Sequence, residues 1–73
     1  MTALGKRIKK LREQKTLTQR ELAEIMGYKT TRSIQFLEAG QRSLDHHQLI
    51  ALADFFDVSL DYLVGRSDDP RRH

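Results

Sequence analysis

The sequence predicts an all-α domain of five short helices. Three observations lead there. Apolar residues recur at spacings of three and four along most of the chain. Side chains suited to helix N-caps and glycines suited to helix ends punctuate those stretches. The single proline, Pro70, lies in the polar end of the chain, and no alternating β-branched run precedes it.

The first element runs from about Ala3 to Gln14. Leu4, Ile8 and Leu11 form its apolar stripe, while Lys6, Arg7, Lys9, Lys10 and Arg12 give it a basic exterior. Thr18-Gln19-Arg20-Glu21 is a capping box, in which hydroxyl and carboxylate satisfy each other's backbone N–H groups, so a second helix starts at Gln19. Leu22, Ile25 and Met26 supply its inward face, Ala23 permits close approach of another helix, and Gly27 ends it. After the turn Tyr28-Lys29, Thr30 or Thr31 caps a third helix that runs to about Ala39 and is closed by Gly40. Ile34 and Leu37 point inward there, leaving Arg32, Ser33, Gln35 and Phe36 outward.

Asp45 is the N-cap of a fourth helix, about His46 to Phe56, with Leu49, Leu52, Ala53 and Phe56 as its buried stripe. Asp57-Val58 makes a turn. Ser59 caps a last short helix in which Leu60 and Leu63 share a face, and Gly65 ends it. Residues 1–65 thus form one domain, and 66–73 read as a flexible polar tail.

Composition narrows the functions available. At 73 residues the chain has room for one modest core, which leaves no space for a substrate or sensor domain, so no small-molecule ligand is expected. The absence of cysteine removes disulfides and thiolate metal sites, and suits a reducing cytoplasm. His46 and His47 are adjacent on a helix, point in different directions and have no third ligand, so neither a metal nor another cofactor is expected. No cysteine nucleophile, serine elbow or glycine-rich phosphate loop is present, and an enzyme is not expected. With charged residues at 32% and apolar runs of a few residues, no membrane span is expected either.

Charge is polarised along the chain. Residues 1–42 hold ten of the thirteen Lys and Arg but four of the ten acids, a balance of +6, whereas residues 43–73 come to −3. A basic half of this kind suits nucleic acid, although basic runs are also common on merely solvated surfaces.

Three stretches in order carry a resemblance: Leu17-Thr-Gln-Arg-Glu-Leu-Ala-Glu-Ile-Met-Gly27, Ser33-Ile-Gln-Phe-Leu-Glu-Ala-Gly-Gln-Arg42, and Leu49 to Leu63. Together they resemble the phage repressor and Cro-like (XRE-type) helix-turn-helix family, over about residues 4 to 65. The resemblance implies a five-helix, lambda-repressor-like domain that binds double-stranded DNA, with helix three in the major groove and helix two crossing above it. The stretch Tyr28 to Arg32 is one residue longer than the family usually has. Leu44 and His46 stand where the family tends to have proline and an apolar residue.

Carried over by position, the resemblance makes Thr31, Arg32 and Phe36 base-facing residues, with Gln35 a neighbouring candidate. Arg32 is the favoured reader, because a guanidinium meets guanine O6 and N7 bidentately. Gln19, at a helix start, becomes a phosphate contact. Lys29 and Thr30, in the turn, and Gln41, Arg42 and Ser43, after helix three, are further phosphate contacts, and Lys29, Thr30 and Thr31 remain alternatives for the residue that first meets DNA. Glu38 matches an acid the family keeps for pairing within the domain.

One short helix reads few base pairs, so a homodimer on a near-palindromic operator is expected, with half-sites about 34 Å apart. Phe55, Tyr62 and Val64 are left over after the inward stripes are filled and are the expected dimer interface. The rival reading is a protein-interaction module, such as an antitoxin-like partner, on the same fold.

Overall fold

The computed structural model describes residues 3–72. Met1 and Thr2 of the expected domain and His73 of the expected tail lie outside the described residues. The order is α1 Ala3–Gln14, α2 Gln19–Met26, α3 Arg32–Glu38, α4 His46–Phe56 and α5 Leu60–Leu63, with no strand among the described residues.

Local chemistry sets the helix ends. Thr18 Oγ1 accepts from the Glu21 N–H at 3.0 Å while Glu21 Oε1 accepts from the Thr18 N–H at 2.9 Å, completing the capping box of α2. At its other end Gly27 is left-handed, at φ 79°, and the Tyr28 N–H donates to the Ala23 carbonyl. Asp45 caps α4 through the Gln48 N–H at 2.9 Å, and the Gln48 side chain returns to the Asp45 N–H, a second capping box. Ser59 Oγ accepts from the Tyr62 N–H to start α5.

α3 begins differently from the expectation. Thr31 precedes it already in the right-handed helical region, and its hydroxyl makes no cap hydrogen bond. A cap needs the extended backbone that swings a side chain back over the first turn. Here the chain enters the helix already wound, through Thr31's carbonyl, which accepts from the Ile34 and Gln35 N–H groups.

The core gathers Ile8 and Leu11 of α1, Leu22 and Ala23 of α2, Ile34 and Leu37 of α3, Leu52, Ala53 and Phe56 of α4, then Val58, Tyr62 and Leu63. α1 packs against α3 and α5, α2 against α3, and α4 against α5. Ile8, Leu22, Ile34, Leu37, Leu52 and Leu63 are fully enclosed, and truncating any one to alanine costs about 2–5 kcal/mol. α1 reaches α3 at Gly5, where a Cβ would lie 2.5 Å from the Leu37 carbonyl oxygen and 2.8 Å from that of Glu38. Helix one can sit this close only because that position has no side chain.

Three assignments of burial are corrected, two inward and one outward. Ile25 stays 47% exposed, because Leu22 and Ala23, with Met26 partly buried beside them, already form the inward side of this short helix. Leu60 is 42% exposed, and the inward pair of α5 is Tyr62 and Leu63. Tyr62, expected to be left over for a partner, is 5% exposed, with the Arg7 guanidinium 4.1 Å above its ring.

Residues 66–72 carry no helix and turn back over the domain. Asp68 accepts from Arg7 Nη2 at 2.8 Å, the Pro70 carbonyl accepts from the Ser59 N–H, and Arg72 pairs with Asp54. These ion pairs lie at the surface, where solvent and salt screen them and leave them little weight in stability.

Candidate nucleic-acid interface

α3 is seated by its inner pair. Ile34 and Leu37 are wholly buried, which fixes the opposite face of the helix outward, and there Arg32, Gln35 and Phe36 are exposed, Phe36 by 42%. Thr31 is half-buried at the helix entrance, and Lys29 and Thr30 are exposed in the turn before it. Gln41, Arg42 and Ser43 are exposed in the segment that leaves α3.

Two side-chain networks hold this face. The first is centred on Glu38, 5% exposed at the last turn of α3. Arg12 Nε donates to its Oε2 at 2.6 Å, Arg12 Nη2 to its Oε1 at 3.2 Å, and Gln19 Nε2 to Oε1 at 3.1 Å. Arg12 Nη1 also donates to the Leu17 carbonyl at 2.8 Å. A buried carboxylate without such partners would be strongly unfavourable. The hydrogen bond to Glu38 raises the ionisation of Arg12 above its ordinary value, so Arg12 stays charged throughout the neutral range. Glu38 therefore ties α3 to α1 and to the start of α2, the domain-internal role expected for it.

Gln19 is consequently not the free amide that a phosphate contact calls for: one amide proton is already given to Glu38 and the side chain is half-buried. The N–H groups of Thr18 and Glu21 are likewise taken by the capping box. The bond from Gln19 to Glu38 thus adds to the capping box already expected at the start of α2.

The second network surrounds Arg42. Its Nη1 donates to Ser33 Oγ at 3.2 Å, and its guanidinium carbon lies 4.7 Å from the centre of the Tyr28 ring. Tyr28 in turn accepts a hydrogen bond at its hydroxyl from Gln48 Nε2 at 3.2 Å. The segment after α3 is thus joined to the first turn of α3, to the turn before it and to the start of α4. Sequence reading missed Tyr28 and Gln48 as parts of the site. Asp45 three residues ahead of Gln48 is the local signal for a structured Gln48, but nothing local indicates that its amide reaches Tyr28.

Phe55 and Val64, two of the three residues expected at a dimer interface, stand on different surfaces. Phe55 shares a shallow apolar depression with Ile25 and Met26, and Val64 shares another with Leu4, Leu44 and Leu49 beside Gln41 and Ser43. Among the described residues no cluster of His, Asp and Glu is arranged to hold a metal, and no helix is long and apolar enough to cross a membrane.

Two helices joined at a left-handed glycine, the first capped by threonine and the second set on the domain with a polar outer face, define a helix-turn-helix protein. The chain belongs to the helix-turn-helix family of the phage repressor and Cro-like type, whose model matches residues 8–63. It is 41% identical over 63 residues to the HTH-type transcriptional regulator YqaE of Bacillus subtilis, an alignment covering 85% of this chain and 53% of that protein. It is 38% identical over 64 residues to the regulator YobD, covering 88% and 56% of the two chains. To the regulator ImmR it is 31% identical over 71 residues, covering 97% and 55%. Both relatives are again from Bacillus subtilis. The chain spans about half the length of these curated relatives. The family and the regulator names of these relatives point to a non-enzymatic protein.

Proposed function

We propose that this chain is a sequence-specific double-stranded DNA-binding transcriptional regulator, acting as a homodimer on a near-palindromic operator. The observation that carries this reading is the outer face of α3, where Arg32, Gln35 and Phe36 stand exposed over the fully buried Ile34 and Leu37. A guanidinium, an amide and an apolar ring are the chemistries that read base edges: guanine O6 and N7, adenine N6 and N7, and the thymine methyl. Thr31 adds a hydroxyl at the groove entrance. Lys29, Thr30, Gln41, Arg42 and Ser43 flank the helix as phosphate contacts that set its register on the duplex. Gln19 is assigned to phosphate through its second amide proton, with Glu38 orienting the first.

The names of the regulator relatives support the same reading. We assign DNA binding to residues 1–65. For pairing, Val64 is the better-placed of the expected residues, since its apolar neighbours lie beside the segment that carries Gln41 and Ser43. Phe55 offers a separate contact, and Tyr62 serves the core.

Binding to duplex DNA at rising salt tests the reading. A DNA grip predicts log affinity falling linearly with log salt, with a slope of about −0.9 per phosphate neutralised. A flat response favours the protein-interaction reading. Selection from a random DNA pool then yields the operator, and its two-fold symmetry tests the dimer.

A further inference from the structure

We propose that Tyr28, tethered by Gln48, is a positioning residue that presents the Arg42 guanidinium to a DNA phosphate. This rests on the regulator reading above and assigns a role that the helix-turn-helix pattern does not itself contain.

The arrangement is a chain of four side chains from four parts of the fold. Gln48 is fixed at both ends of its amide: Oε1 accepts from the Asp45 N–H, and Nε2 donates to the Tyr28 hydroxyl. The Tyr28 ring is thereby anchored to the first turn of α4, although Tyr28 itself belongs to the turn between α2 and α3. Arg42 lies over that ring at 4.7 Å and reaches Ser33, in the first turn of α3, at 3.2 Å.

An exposed arginine ordinarily samples many rotamers, and ordering it on contact with DNA costs side-chain entropy. Stacking on an aromatic face holds the guanidinium plane without consuming its N–H donors, which point outward around the ring edge. Among the described residues Ser33 alone accepts a hydrogen bond from Arg42, so the remaining donors are available to an incoming phosphate oxygen. The cation is pre-oriented at the start of α3, and the cost of ordering it is met in folding rather than in binding.

The test measures affinity for a labelled duplex of random sequence over roughly 50–200 mM salt, beside a thermal melt of each variant. Arg42→Ala is expected to weaken binding about tenfold and to make the salt slope shallower by about 0.9. Tyr28→Ala is expected to weaken binding about two- to fivefold, and to add nothing further when combined with Arg42→Ala. Tyr28→Phe, which keeps the ring and loses only the tether, stays closer to the wild type than Tyr28→Ala. Tyr28→Leu, a half-buried apolar side chain without a π face, carries the same expectation as Tyr28→Ala if the alanine variant melts early. The inference is overturned if the Tyr28→Ala or Tyr28→Leu loss adds in full to that of Arg42→Ala, or if neither variant weakens binding while Arg42→Ala does. A wild-type protein that does not bind duplex in a salt-dependent way overturns the regulator reading first, and this inference with it.

Discussion

Arg12 Nε lies 2.6 Å from Glu38 Oε2, and this contact between side chains 12% and 6% exposed joins the first helix to the end of the third. The residues are 26 apart in sequence, yet they fix where the outward face of α3 stands. Removing one partner leaves the other buried without its counter-charge. Arg12→Ala or Glu38→Ala is therefore expected to lower stability by about 2–4 kcal/mol, while Arg12→Met with Glu38→Leu recovers much of that loss. Urea unfolding measures it, and single variants within about 0.5 kcal/mol of the wild type would show that the pair does not hold α3 in place.

Arg12 has a definite pH signature. The hydrogen bond to Glu38 raises the folded-state ionisation of Arg12 above its ordinary value. A raised value of this sign contributes stability that is complete below the ordinary arginine value and is lost only as pH climbs through the folded value. The stability difference between wild type and Arg12→Ala should therefore be unchanged between neutral pH and about pH 10. A difference that shrinks over that range would contradict the assignment.

Gly5→Ala should destabilise, although alanine is the better helix former by about 1 kcal/mol. The new Cβ would meet the backbone carbonyl oxygens of Leu37 and Glu38 at 2.5 and 2.8 Å, and backbone does not step aside as a side chain tip can. Overpacking of this kind costs about 1–3 kcal/mol. A melting temperature above that of the wild type would show that α1 and α3 do not cross there.

Thr18→Ala removes one half of the capping box at the start of α2. About 1 kcal/mol of stability should go with it, read by urea unfolding. Because the Gln19 amide is held by Glu38 at that same helix end, the variant should also weaken DNA binding. A variant with unchanged affinity would place the start of α2 away from the phosphates.

Arg32→Ala should relax base preference at one operator position by about 1–3 kcal/mol, and change stability by no more than about 0.5 kcal/mol, since the side chain is exposed. Selection of operators by wild type and variant in parallel reads the first effect and a melt reads the second. Uniform weakening across all sequences would make Arg32 a phosphate contact instead.

Much of this was legible in the chain itself. The stripe Leu4, Ile8, Leu11 and the capping box at Thr18 and Glu21 act within one or two helical turns, and such local chemistry sets the bounds of α1 and the start of α2. What was not legible depends on distant partners. Gly5 carries no sign that Leu37 and Glu38 will lie against it, and Gln19 gives no hint that its amide will be claimed 19 residues away. α5 is barely one turn, too short for the spacing of Leu60 and Leu63 to decide which side faces inward, and Tyr62 took the place. Ile25 obeys the periodicity of α2 and is still exposed, because periodicity ranks positions without knowing how much core remains to be filled.

The outward face of α3 is expected to enter a duplex groove. An amide-resolved NMR titration of the protein with an operator selected from a random DNA pool addresses it directly. The largest shifts should fall on Arg32, Gln35 and Phe36, with a second set at Arg42 and Ser43. Shifts confined to α4 and α5, with α3 unmoved, would contradict it.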